Sequence, residues 1–260
     1  MNNIDFNQSE QYTLSIRLSA DGFSFSIHHS PDNGDIHFTE YPIKESYSFT
    51  ANIKEMIASS EALGHSYHQT NILIDTHRVT PVPFELFEDE QSENLFHQAF
   101  NEGSNEIILC NILGKSNVAL LFGMDKHAHQ LLNEHFPNAR FFACVSPMME
   151  YFTQKSRENS HRNLYAHFQD HVFEVFAFDD GNLQLLNAFQ CKQTPDKVYY
   201  LLSIWKQLGF DQEKDQLWIA GNTEEKEELL KELNRFLRKV NVITMQEKLP
   251  FDLQTIMICE

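Results

Sequence analysis

The chain has 260 residues, enough for two domains of ordinary size, and its 20 Lys plus Arg against 37 Asp plus Glu leave a formal charge of −17. That field repels phosphate backbones and anionic headgroups, which excludes nucleic acid and the membrane surface as partners. Apolar content of 42% with 22 Phe places the chain among globular proteins and excludes disordered and fibrous classes.

Four cysteines (Cys110, Cys144, Cys191 and Cys259) are widely spaced and form no C-x-x-C pair, as expected of reduced thiols in the cytoplasm. The opening "MNNIDFNQSEQY" lacks the basic and apolar regions of a secretory signal, and no run of about 18 apolar residues exists to span a membrane.

In chain order, the first third reads as a three-strand meander. "YTLSIRLS" (12–19) alternates, turns at Asp21-Gly22 and continues as "FSFSIHH" (23–29); a second turn, "SPDNG" (30–34), leads into "DIHFTEYPI" (35–43). Ser48 then caps a helix carrying Ile53, Met56, Ile57 and Leu63 on one face, with Gly64 at its C′ position, and the strand "NILID" (71–75) follows. "PFELFEDEQSENLFHQAF" (83–100) predicts a helix with an acidic outer face. Residues 106–124 predict an apolar hairpin turning at Gly114, residues 125–136 a helix and "ARFFACV" (139–145) a strand that buries Cys144. The polar stretch 154–163 is the expected linker.

From residue 163 the order begins again. "NLYAHFQ" (163–169), "HVFEVFAF" (171–178) and "NLQLLNAF" (182–189) predict three strands, with Asp179-Asp180-Gly181 at the second turn. Thr194-Pro195 opens a helix that Gly209 ends, and "QLWIAG" (216–221) is a strand. "NTEEKEELLKELNRFLRKV" predicts a long helix carrying apolar residues from Leu229 to Val240, started by an Asn222–Glu225 capping pair, before the strand "NVITM" (241–245) and a short terminal segment. Each half therefore reads strand, strand, strand, helix, strand. The interval from first turn to helix start is 26 residues (22 to 48) in one half and 23 (171 to 194) in the other. An internal duplication is the expected explanation.

Two halves of this kind resemble the actin-like ATPase fold shared by actin, sugar kinases and relatives in bacterial division and pilus assembly. "LIDTHRVTPVPFELF" (73–87) more closely resembles an uncharacterised Bacteroidetes family, a domain of unknown function. The resemblance implies an α/β protein of two actin-like (ribonuclease H-like) domains around a central cleft. Residues 1–153 form the first, with an inserted helix and hairpin at about 83–124, and residues 162–260 the second.

It also implies where nucleotide chemistry resides, and there this chain departs from the pattern. The first hairpin of such ATPases carries Asp-x-Gly; here Gly22 is present, but Ala20 stands two before it, and strand alternation turns Asp21 to the other face. The second hairpin reads Gln169-Asp170-His171, without a glycine, and Asp179-Asp180-Gly181 sits one turn too late. The adenosine-side Gly-Gly is replaced by Ala220-Gly221, followed by Asn222-Thr223 and the acidic Glu224 and Glu225. Asp21, Gly22, Gly221 and Asn222 are thus assigned to a vestigial nucleotide site, with no catalytic residue and no cofactor expected. The expected role is a non-hydrolysing binding or assembly scaffold with a protein partner. The alternative is an active ATPase or sugar-kinase-like phosphotransferase using ATP and Mg²⁺ with atypical residues.

Among thirteen histidines, His127 and His129 fall about 200° apart on one helix, and His65, His68, Asp75 and His77 form only a loose group. No metal site is assigned. G-x-S-x-G, the P-loop and G-x-G-x-x-G are absent. The apolar hairpin edge makes a homodimer an expected possibility.

Overall fold

The computed structural model describes residues 4, 6–29, 36–158, 161–169, 172–222, 225–246 and 249–259. The expected turn at 30–34 lies outside them. The elements are β1 (Tyr12–Leu18), β2 (Phe23–His29), β3 (His37–Tyr41), α1 (Phe49–Ser59), β4 (Gln69–Ile74), β5 (Val79–Pro83), α2 (Ser92–Ala99), β6 (Glu106–Leu113), β7 (Val118–Asp125), α3 (Lys126–His135), β8 (Arg140–Ala143) and α4 (Val145–Arg157). There follow β9 (Asn163–Gln169), β10 (Val172–Asp179), β11 (Asn182–Gln190), α5 (Thr194–Gln207), β12 (Gln216–Gly221), α6 (Lys226–Leu233), β13 (Val240–Val242) and α7 (Phe251–Cys259). The chain divides into two compact units, one of residues 1–112 with 118–147 and one of 113–117 with 148–260.

The first unit is built on a five-stranded sheet of order β3-β2-β1-β4-β8. Its meander is antiparallel, while β4 lies parallel to β1 and β8 parallel to β4. Alternation along β1 and β2 separates Leu14, Ile16, Phe23, Phe25 and Ile27 from Thr13, Ser15, Ser24 and Ser26, and both sets are buried. Phe23 packs edge-on against Phe49 of α1. Ser48 caps α1 by accepting from the Ala51 amide, as expected. Gly64, however, does not end that helix: α1 stops at Ser59, and residues 61–64 form a separate 3₁₀ turn whose Leu63 carbonyl accepts from His135 of α3.

The segment expected as one helix over 83–100 is instead two short 3₁₀ turns, Phe84–Leu86 and Asp89–Gln91, followed by α2. Before it comes β5, which joins β7 and β6 in a second sheet of order β5-β7-β6. Arg78 fastens α2 to that sheet: its guanidinium grips both carboxylate oxygens of Glu106, at 2.7 and 2.8 Å, and lies against the rings of Phe96 and Phe100. Gly123 leaves the space that the Glu106 carboxylate occupies.

The expected strand 139–145 ends at Ala143, and Val145 already begins α4. Cys144 is buried in the junction between them, not in a strand. Helix α4 runs to Arg157, so the polar stretch expected as a linker is helical over its first four residues.

The second unit carries a five-stranded sheet of order β11-β10-β9-β12-β13, with an antiparallel meander and parallel β9-β12-β13, the same order and sense as in the first. Asp180 (φ 49°) and Gly181 (φ 73°) make the two-residue turn between β10 and β11. One face of the sheet buries Leu164, Ala166, Val175, Leu217 and Ile219 with Leu201 and Trp205 of α5 and Leu229 and Leu233 of α6. On the other, Tyr165 stacks on Phe152 of α4, which stacks in turn on Phe251 of α7.

Two expectations are corrected here. Helix α6 ends at Leu233, because Val240 is needed in the sheet, paired with Leu217; Leu237 still reaches the core from the turn between. The terminal segment includes a buried helix, α7, whose Gln254 bonds the Gln246 and Leu249 carbonyls and so satisfies its amide away from water.

Candidate functional site

Asp21 and Gly22 lie in the connection between β1 and β2, in the first unit; Gly221 ends β12 and Asn222 follows it, in the second. The β1–β2 turn is closed on itself. The Ser19 amide donates to the Gly22 carbonyl at 3.1 Å, and the Asp21 amide to Ser19 Oγ at 3.4 Å. Gly22 is outside the left-handed region, and a Cβ placed on it would meet only the Tyr41 carbonyl oxygen, at 3.8 Å. Neither backbone conformation nor packing requires glycine there.

Close by, Arg17 on β1 and Asp75 after β4 form an ion pair at 2.7 Å with both side chains largely buried. The Asp75 amide extends the β1–β4 ladder by donating to the Leu18 carbonyl. Asp75, grouped at first with histidines as a conceivable ligand, is thus the counter-ion of Arg17. Of those histidines, His65 stacks on Phe6. His127 contacts Asn105, whereas His129 lies against Phe141 and Asn133.

Gly221 is different. Its φ is +77°, and a Cβ there would overlap the Phe168 carbonyl oxygen and sit 2.8 Å from Cδ2 of His167. The same carbonyl accepts the Asn222 amide at 3.1 Å. The ladder between β9 and β12 therefore demands glycine at 221 without reference to any ligand. Asp170, His171, Thr223 and Glu224, which belong to the other expected motif positions, lie outside the described residues. The Asn222–Glu225 capping pair is not formed: Glu225 stands at the N-cap of α6 without a side-chain cap and accepts from the Thr194 hydroxyl at the start of α5.

Beside Gly221 is a buried pair that the linear sequence did not single out. His167 Nδ1 and Glu174 Oε2 are 2.9 Å apart, opposite each other on β9 and β10 and almost wholly excluded from solvent. Phe251 stacks on the imidazole at 5.2 Å. The signal was present as an acid and a base inside two otherwise apolar strands, "YAHF" and "FEVF", which the antiparallel register of β9 and β10 sets face to face.

The first unit also holds an open cavity of about 480 Å³ at the N-terminal ends of α1 and α3, lined by Ser48, Lys54, Asp125, His127, Gln130 and Glu134 among others. Two side chains at its wall are caps: Ser48 occupies the Ala51 amide and Asp125 the Ala128 amide at 2.8 Å. Capping amides that an anion would seek, and contributing two carboxylates, the cavity is poorly suited to phosphate.

Two five-stranded sheets of this order, each opening on an antiparallel meander, define the actin-like ATPase fold. A protein of Bacteroides thetaiotaomicron VPI-5482 described as having an actin-like ATPase fold and unknown function is 43% identical to this chain, with a TM-score of 0.90 and all of both chains covered. A PilM-PilN type IV pilus biogenesis complex matches at 8% identity and a TM-score of 0.55, covering 89% of this chain and 88% of that one, a likeness of fold alone. The family described as "Protein of unknown function (DUF3822)" matches residues 1–240, and the chain belongs to it. Curated proteins provide no match. Among the described residues, no helix is long and apolar enough to cross a membrane.

Proposed function

We propose that this protein is a non-hydrolysing binding or assembly scaffold of the cytoplasm, derived by internal duplication from a nucleotide-binding ancestor whose site it has lost. The observation that carries this reading is the self-closed β1–β2 turn. Phosphate recognition at such a hairpin needs backbone amides free to donate and a carboxylate placed to work through hydrated Mg²⁺. Here the Ser19 and Asp21 amides are spent inside the turn, and position 20 offers only a methyl group. The Arg17 guanidinium, the cation nearest in sequence, is committed to Asp75. The identical order and sense of the two sheets support the duplication.

Thermal denaturation with and without millimolar Mg·ATP tests the reading, because a ligand that binds only the native state raises the melting temperature. The scaffold reading expects no shift. A saturable rise of several degrees with ATP, absent with Mg²⁺ alone, would favour the phosphotransferase alternative and overturn it.

A further inference from the structure

Keeping large apolar side chains in water is unfavourable, so two of them held out together on a closed turn mark a surface to be covered. Leu86 is 69% exposed, the most of any large apolar side chain among the described residues, and Phe84 is 48% exposed. Neither is left out by fraying. Pro83, with its fixed φ, leads into the 3₁₀ turn Phe84–Leu86, which the Phe87 amide closes by donating to the Phe84 carbonyl at 3.2 Å. Phe87 itself is partly buried and packs, as Leu95 does, against the cluster of Val82, Phe96 and Leu121. The next turn, Asp89–Gln91, is held by the Gln91 amide on the Glu88 carbonyl at 3.0 Å and by the Ser92 hydroxyl on the Asp89 carbonyl at 2.7 Å. Phe84 and Leu86 are thus fixed in an outward position above an apolar layer.

The charge around them says what would cover them. No Lys or Arg occurs in the 36 residues between Arg78 and Lys115, which hold seven carboxylates, so −7 of the chain's −17 falls there. Arg78 answers Glu106. The other six, Glu85, Glu88, Asp89, Glu90, Glu93 and Glu102, are exposed and form no ion pair among the described residues. Five of them lie within residues 85–93, beginning on either side of Leu86.

We infer that Phe84 and Leu86, with the carboxylates from Glu85 to Glu93, dock a basic amphipathic segment of a protein partner. Its apolar side chains cover the two exposed ones, and its Lys or Arg side chains meet the unanswered carboxylates. A second copy of this chain fits poorly, because it brings more negative charge against the same carboxylates. The inference deepens the scaffold reading and rests on it for the role of the partner. Titration with Mg·ATP tests the loss of nucleotide separately, so either can fail alone.

The probe is a labelled amphipathic peptide of about 14 residues made of Lys and Leu, titrated with the full chain and followed by fluorescence anisotropy. Physiological ionic strength, with a screening length of about 8 Å, confines attraction to nearby carboxylates. The peptide should bind saturably. Phe84→Ser with Leu86→Ser, which leaves the charge intact, should weaken it at least about tenfold. Asp89→Asn with Glu90→Gln should weaken it about three- to tenfold, whereas Glu227→Gln with Glu228→Gln, an equal change of net charge on α6, should leave it within about twofold. In hydrogen exchange on the unmodified chain, the peptide should protect amides within residues 84–93. Absence of saturable binding overturns the proposal, as does binding that the Phe84/Leu86 variant retains or that the α6 pair weakens as much as the local pair. Unchanged exchange over 84–93 overturns it too, and decides alone should a variant fail to fold. Sedimentation showing a dimer that the Phe84/Leu86 variant abolishes would assign the surface to a second copy instead.

Discussion

Substituting alanine for Gly22 and for Gly221, one at a time, separates a glycine that is merely tolerated from one the backbone demands. At Gly221 the methyl group has nowhere to go. The residue sits at φ +77°, which costs an L-residue about 1–3 kcal/mol. The overlapping atom is the Phe168 carbonyl oxygen, held in the β9–β12 ladder and already bonded to the Asn222 amide. Relief must come by shifting backbone and the buried His167 ring, and forced shifts of this kind cost a further 1–3 kcal/mol or so. The expected loss is therefore about 2–6 kcal/mol. At Gly22 the conformation is open to alanine and the nearest atom is 3.8 Å away, so the reduced freedom of the unfolded chain should leave the variant unchanged or up to about 1 kcal/mol more stable. Urea denaturation followed by circular dichroism, with the slope checked for two-state behaviour, reads both values. If Gly22→Ala proves as damaging as Gly221→Ala, the β1–β2 turn needs its glycine for something the closed turn does not explain, and the case for a lost phosphate site fails with it.

Three further outcomes follow from buried groups. The Tyr165 hydroxyl is buried and has no hydrogen-bond partner among the described residues, while its ring stacks on Phe152. Tyr165→Phe should leave stability unchanged or improve it by about 1 kcal/mol, and a loss of that size would reveal a hidden partner. Arg78→Lys keeps the charge but loses the two-pronged grip on Glu106 and the contact with Phe96 and Phe100. It should lower the melting temperature clearly, whereas Lys155→Ala, at the exposed pair with Glu158, should scarcely move it. Burial against Phe141 lowers the His129 pKa, so the folded state favours the neutral ring. That contribution is present above the unfolded histidine pKa of about 6.5 and is lost as pH falls below it. A His129→Gln variant should therefore lose less stability than the parent between neutral and mildly acidic pH, as read by melting at each pH.

Much of the fold was legible because local patterns and tertiary demands agree. "FSFSIHH" alternates, and β2 does bury its two residue sets on opposite faces. Ser48 has the right side chain for a cap and makes the bond. Where the reading failed, a distant partner decided. "VTPVP" carries two prolines, which argue against a strand, yet β5 is an edge that needs hydrogen bonds from only one side. The leucine repeat after residue 225 looked like one long helix, but Val240 is captured by Leu217 across the sheet. The last helix was unreadable for another reason. It is apolar or self-satisfied all round, so it shows none of the one-sided periodicity by which a surface helix is recognised.

The candidate site shows a sharper limit. A sequence reports which residue stands at a motif position but not which force keeps it there. Gly221 looked like half of a worn nucleotide motif; its φ and the Phe168 carbonyl account for it with no ligand at all. Gly22 looked like the better-preserved glycine, yet its turn would accept a side chain. The two glycines most suggestive of phosphate thus carry little information about it. The informative positions are those that chemistry alone could explain: Ala20, where a carboxylate should be, and Arg17, whose charge Asp75 already answers. Neither ion-pair partner could be matched from the sequence, because 58 residues separate them and only the parallel pairing of β1 with β4 brings the two strand ends together.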